Sequence, residues 1–144
     1  MTAKEYLGEI RRLTGVIEEL ERSMEILQDD IEGIKGVQYD KDKVMTSASG
    51  DAMLNKIIRL EQLSEEIGDT MIERAKKRAH ITTQITLMPN RNYMQLLFKR
   101  YVEFKRFEQI AVEMNYSYDR IVHIHSEALQ DFEERYDMLA YNSI

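Results

Sequence analysis

The sequence predicts an all-α protein in which a long, coiled-coil-like N-terminal helical hairpin precedes a C-terminal helix-turn-helix. Three observations point there. One proline and six glycines in 144 residues leave few places to break a helix, whereas a multi-stranded β-fold needs a turn every few residues. Apolar residues recur at helical spacing over two long stretches. Near the C-terminal end, two shorter helical stretches flank the turn-forming run N-Y-S-Y at 115–118.

The first helix opens on Thr2 and Glu5, a T-x-x-E capping box that satisfies free backbone N–H groups at a helix start. Apolar residues then fall at Ile10, Leu13, Ile17, Leu20, Met24, Leu27, Ile31 and Ile34. Alternating steps of three and four are a heptad pattern, with Glu, Asp and Arg filling most of the other faces. Residues 36–50 are polar, small and turn-rich and read as a flexible connector. A second helix is expected from about Asp51, with Leu54, Ile57, Ile58, Leu60, Leu63, Ile67, Met71 and Ala75 as its apolar positions. It continues through Ile81 and Ile85 until Pro89 stops it. Two amphipathic helices of similar length predict an antiparallel hairpin. Such a hairpin buries little by itself, so self-association is also expected.

After Pro89 the rhythm changes. Tyr93, Leu96, Leu97 and Tyr101 mark one helix over roughly 90–103, and Phe107, Ile110, Ala111 and Met114 a short one over 107–114. Asn115 tolerates the left-handed backbone of a tight turn, and Ser117 is a good N-cap for the next helix. Ile121, Ile124 or His125, Ala128 and Phe132 then share one side. The small Ala111 permits close helix approach in such a helix-turn-helix. Two domains follow, 1–87 and 88–144.

Hydrophobic residues are 43% and charged residues 32% of the chain, enough for a core under a charged surface. The absence of cysteine excludes a disulfide scaffold, a thiolate zinc site and a cysteine nucleophile. The longest charge-free stretch of the second half, 79–90, is far too short to span a membrane, and no apolar leader core follows Lys4 and Glu5. A soluble intracellular protein without membrane partners is expected. The net charge of −6 is unevenly spread: residues 73–106 carry nine basic and two acidic groups, whereas 107–144 carry two and eight. A +7 block in an acidic chain is a local electrostatic feature that the total conceals.

The stretch from Met88 to Ser117, M-P-x(10)-R-Y-V-E-F-K-R-F-E-Q-I-A-V-E-M-N-Y-S, resembles region four of the bacterial primary-type sigma factors. Met88-Pro89 corresponds to its L-P, Arg100-Tyr101 to its R-Y, and Glu108 to Ala111 to its E-x-I-A. The later I-H-S-E-A-L (Ile124 to Leu129) is similar to its L-H-x-x-A-L. The whole chain, opening on M-T-A-K-E-Y-L-x-x-I-R-R-L, resembles small phage and prophage proteins of Gram-positive bacteria, including or adjoining the ArpU-like regulators of late phage genes. The resemblance implies transcriptional regulation in a bacterial cytoplasm, with double-stranded DNA as partner and RNA polymerase as a second candidate partner.

Three features depart from the sigma pattern. Asn115 stands at the turn position that is usually glycine. Val122 stands where a basic residue is common, and Asp119 and Glu127 lie on the recognition helix. Phosphate contacts need cations. DNA contact is therefore assigned to Ser117, Tyr118, Arg120 and His123, helped by Arg91, Lys99, Arg100, Lys105 and Arg106 on the preceding helix and loop. An arginine fork suits guanine, while an ordinary solvated face would explain Arg120 and His123 equally well. A homodimer would place two recognition helices about one DNA turn apart. His125 reads as a packing residue. His123 and His125 diverge on a helix, so no shared metal is expected.

No Gly-rich phosphate loop or distinguished carboxylate pair occurs, so neither an enzyme nor a cofactor is expected. The alternative reading is a structural, oligomerising interaction module, such as a phage packaging subunit, whose helix-turn-helix does not read sequence.

Overall fold

The computed structural model describes the backbone of residues 1–39 and 47–136, and the side chains of residues 1–34 and 50–136. All of the regular structure described is helical: α1 (Ala3–Leu7), α2 (Glu9–Tyr39), α3 (Ser47–Thr86), α4 (Arg91–Leu97), a π-helical turn (Phe98–Val102), α5 (Phe107–Met114) and α6 (Tyr118–Tyr136). The Thr2 capping box is formed, with Thr2 Oγ1 accepting from the Glu5 N–H and the Glu5 carboxylate accepting from the Thr2 N–H. The expected first helix is divided at Gly8. Backbone bonds from the Gly8 N–H to the Lys4 carbonyl and from the Arg12 N–H to the Gly8 carbonyl, both 3.0 Å, bridge the division.

The connector expected over 36–50 is narrower in the structure. Helix α2 runs to Tyr39 and α3 begins at Ser47, while residues 40–46 lie outside the described residues. Glycine inside a helix costs only about 1 kcal/mol relative to alanine, which neighbouring turns can absorb at Gly36 and Gly50. Asn90 caps α4 by accepting from the Tyr93 N–H. The single helix expected over 90–103 instead widens after Leu97, where the Glu103 N–H reaches back five residues to the Phe98 carbonyl. Phe104, next in the chain, has a φ of 60°.

The chain divides into two compact units, one of residues 1–13 with 74–144 and one of residues 14–73. The first unit thus joins the 88–144 segment to the first 13 residues and the last turns of α3. Its core explains why. Tyr6, Leu7 and Ile10 from the N-terminal end and Ile81 and Ile85 from α3 belong to one buried cluster with Leu96, Ile110, Ile121, Ile124 and Phe132. Polar contacts tie the same elements. The Ala3 N–H donates to Glu133 at 2.9 Å, and the Tyr6 hydroxyl donates to the Gln84 side chain, itself buried. The Tyr136 hydroxyl donates to the Gln84 carbonyl.

In the second unit the α2 seam is as the heptads predict: Ile17 and Ile31 are buried, and Leu20, Met24, Leu27 and Ile34 are half-buried. The α3 seam is different. Leu60, Leu63 and Ile67 turn inward together with Met53, Lys56 and Thr70, while Leu54, Ile57, Ile58 and Met71 are exposed. Helical spacing measured from the buried Leu63 selects 53, 56, 60, 67 and 70. Lys56 turns its ammonium to Asp30 at 4.0 Å.

Candidate nucleic-acid interface

The candidate surface is built on the junction of α5 and α6. Helix α5 ends at Asn115, whose φ of 59° and ψ of 42° place it in the left-handed region. The Tyr116 N–H then bonds the Ala111 carbonyl at 3.0 Å, closing the helix end. Ser117 starts the next helix, its Oγ accepting from the Arg120 N–H at 3.1 Å and its carbonyl from the Ile121 N–H at 3.0 Å. Behind the junction, Ile110 and Ala111 share a core with Ile121, Ile124 and Ala128.

Aromatic side chains fix the two helices further. The Phe107 ring meets Tyr118 edge-on at 6.4 Å and His125 at 4.9 Å between centroids. His125 is buried, and its Nε2 lies 2.7 Å from the Tyr101 hydroxyl on the π-helical turn. Burial pushes the His125 pKa down to about 4, with Arg100 and Lys4 adding to the shift. Burial likewise pushes the Tyr101 phenol up to about 12. Both groups are neutral at pH 7, and the His125 tautomer sets which of the two donates.

Helix α4 borders the same surface. Asn92 Nδ2 donates to the Tyr116 hydroxyl at 3.1 Å, tying the start of α4 to the turn. The Tyr93 hydroxyl donates to Glu127 Oε2 at 3.1 Å, and this hydrogen bond raises the phenol above its ordinary value.

Ser117, Tyr118, Arg120 and His123 are all exposed on the opening turns of α6, among Asp119 and Val122. Tyr118 and Arg120 flank the helix on opposite sides, since two residues are 200° apart. His123 is paired with Glu127, its Nε2 2.9 Å from the carboxylate. Arg91 and Arg106 are exposed on the start of α4 and at the N-cap of α5. Among the described residues, no ion pair or hydrogen bond engages the guanidinium of Arg91, Arg106 or Arg120.

The other three candidate cations have internal partners. Lys99 and Lys105 each approach Glu113 Oε1 at 2.7 Å, and Lys105 also meets Glu103 at 3.4 Å. Hydrogen bonds from Lys105 and Lys99 hold the Glu113 carboxyl below its ordinary value. Arg100 lays its guanidinium over the Phe107 ring at 4.4 Å and donates to the Lys105 carbonyl at 3.1 Å. These three side chains brace the loop between the π-helical turn and α5. In the rest of the basic block, Lys77 stands over the Tyr6 ring at 5.8 Å.

Glu127, Asn92, Tyr116 and Val112 also shape the surface, and sequence reasoning did not single them out as such. The four-residue spacing of His123 and Glu127 was a readable signal. The Asn92–Tyr116 bond spans 24 residues and had none. Val112, 78% exposed, is an apolar side chain facing outward from α5. An open cavity of 340 Å³ lies beside the lysine–Glu113 cluster, lined by Met94, Phe98 and Met114 among others. Among the described residues no cluster of three or more His, Asp or Glu could hold a metal ion, and no helix is long and apolar enough to cross a membrane.

The surface therefore offers one unpaired arginine fork on α6, two exposed hydroxyls, an imidazole and two flanking arginines. Comparison with protein-family models, curated proteins and solved structures finds no match to this chain.

Proposed function

We propose that the chain is a duplex-DNA-binding regulator in which α5, the 115–117 turn and α6 act as a sigma-like helix-turn-helix. On this reading α6 enters the major groove with its N-terminal turns foremost. The observation that carries the reading is the α5–α6 junction itself. A left-handed Asn115 followed by a capping Ser117 leaves the outer face of the first two turns of α6 exposed over a shared core. Arg120 supplies the base-edge fork, Ser117 and Tyr118 supply hydroxyls, and Arg91 and Arg106 contact phosphates.

Two arginines on phosphates give a modest electrostatic contribution. With about 0.9 in log–log salt slope per phosphate contact, the expected slope is about −2. Affinity is correspondingly low without a helper, for which RNA polymerase is the candidate partner. The reading is of a binding protein without a catalytic centre or cofactor. Fluorescence anisotropy of the full chain on mixed-sequence duplex DNA tests it. Binding that weakens with salt at that slope, and less steeply in Arg91→Ala and Arg106→Ala, is expected; no binding at low salt would overturn it.

The second reading, an interaction module, is favoured by a different observation. Lys99, Arg100 and Lys105 spend their charges inside the fold, and Val112, Tyr118 and Val122 expose apolar surface next to the turn. A large closed assembly in light scattering, with no DNA binding, would favour it.

A further inference from the structure

Beyond the DNA reading, and using residues 14–73 alone, we infer that the outer face of α3 is a docking surface for a basic amphipathic helix of another protein. Leu63 is the buried centre of the inner seam, at 2% exposure. Leu54 and Ile72 each lie nine residues from it, two and a half turns, and so point directly away from that seam. They are 56% and 57% exposed, and Ile58, on nearly the same line, is 44% exposed. Between them on this line stand Glu61 and Glu65, both exposed and without an ion pair among the described residues. The outer face thus has apolar ends and two carboxylates at its middle.

Charge decides what covers it. Residues 14–73 carry 15 Asp and Glu against 6 Lys and Arg, a net of −9. A second copy fits poorly. Antiparallel pairing that sets Leu54 of one copy against Ile72 of the other puts Glu61 opposite Glu65. Parallel pairing puts each carboxylate opposite its own counterpart. Like charges apposed in a partly desolvated seam are repulsive, whereas e/g-type opposite charges select a partner. A helix with apolar residues at matching ends and two Lys or Arg at its middle satisfies both features at once, and the −9 field speeds its capture.

The test uses the full chain and a labelled synthetic helical peptide bearing Leu, Lys, Lys and Ile at the spacing of Leu54, Glu61, Glu65 and Ile72. A matched peptide with Glu in place of Lys is the control. The native chain should bind the basic peptide at least about tenfold more tightly than the acidic one, and the double variant E61K/E65K should reverse that order. Ile72→Ser should weaken both interactions. Equal affinity for the two peptides, no binding of the basic peptide, or a native dimer that Ile72→Ser dissolves in light scattering would each overturn the proposal. Loss of DNA binding in a separate assay leaves these outcomes unaffected.

Discussion

Tyr101 and His125 share a 2.7 Å hydrogen bond inside the first unit, and this bond joins the π-helical turn to the helix that carries the candidate DNA surface. Burial holds both partners neutral, His125 with a pKa of about 4 and Tyr101 with one of about 12. The unfolded chain, with an ordinary histidine near 6.5, binds the proton more readily. Stability from this site is therefore complete above about pH 6.5 and is lost as pH falls toward 4, by about 2 to 3 kcal/mol in all. Urea unfolding at pH 7, 5.5 and 4.5 should show this slope. His125→Gln should flatten it between pH 6.5 and 4.5, and an unchanged slope would contradict the assignment.

Asn115 occupies the left-handed region at the end of α5. Glycine suits that backbone, and a β-branched residue does not. Asn115→Gly should leave thermal stability within about 0.5 kcal/mol of the native chain, while Asn115→Val should cost about 1 to 2 kcal/mol. Equal melting temperatures for the two variants would contradict a left-handed Asn115.

Leu7, fully buried at the N-terminal end, belongs to the same cluster as Phe132 of α6. Leu7→Ala should destabilise the first unit by about 2 to 5 kcal/mol, close to what a core substitution within α6 costs. A fragment of residues 88–144 should fail to fold alone, as read by circular dichroism and amide exchange. A cooperatively folded fragment would contradict the shared core.

Glu113, on α5, pairs with both Lys99 and Lys105. Removing that carboxylate frees Lys99 and leaves Lys105 with Glu103 alone, so Glu113→Gln should strengthen binding to duplex DNA and raise the salt slope by about 1. Lys99→Gln and Lys105→Gln should change affinity by less than about twofold, unlike Arg120→Ala. Weaker binding by Glu113→Gln would count against this division of roles.

Local signals were the most legible. The Thr2 capping box, the Asn115 turn, the Ser117 cap and the Ile10–Ile34 heptads each depend on residues within one or two turns, where backbone sterics and helical spacing decide. What was not legible depends on contacts distant in sequence. Nothing near Tyr6 or Leu7 announces that they meet Ile81 and Phe132 in one core. The π-helical turn and the positive φ of Phe104 lie where Arg100 donates to the Lys105 carbonyl and covers the Phe107 ring. The candidate surface shows the same limit. A segment count treats every lysine as available, but Lys99 and Lys105 converge on Glu113, which the count places in a different segment. The α3 stripe misled for a related reason. Leu54, Ile57 and Ile58 are apolar at helical spacing, yet the seam through Leu63 passes them by.

The DNA reading is tested most directly by selecting duplexes from a random-sequence library with the full chain at low salt, in parallel with Arg120→Ala. A recurrent motif enriched by the native chain and lost with Arg120→Ala is the expected result, because the DNA reading makes Arg120 the base-edge fork on α6. Enrichment of no motif, or of the same motif by both proteins, would contradict it.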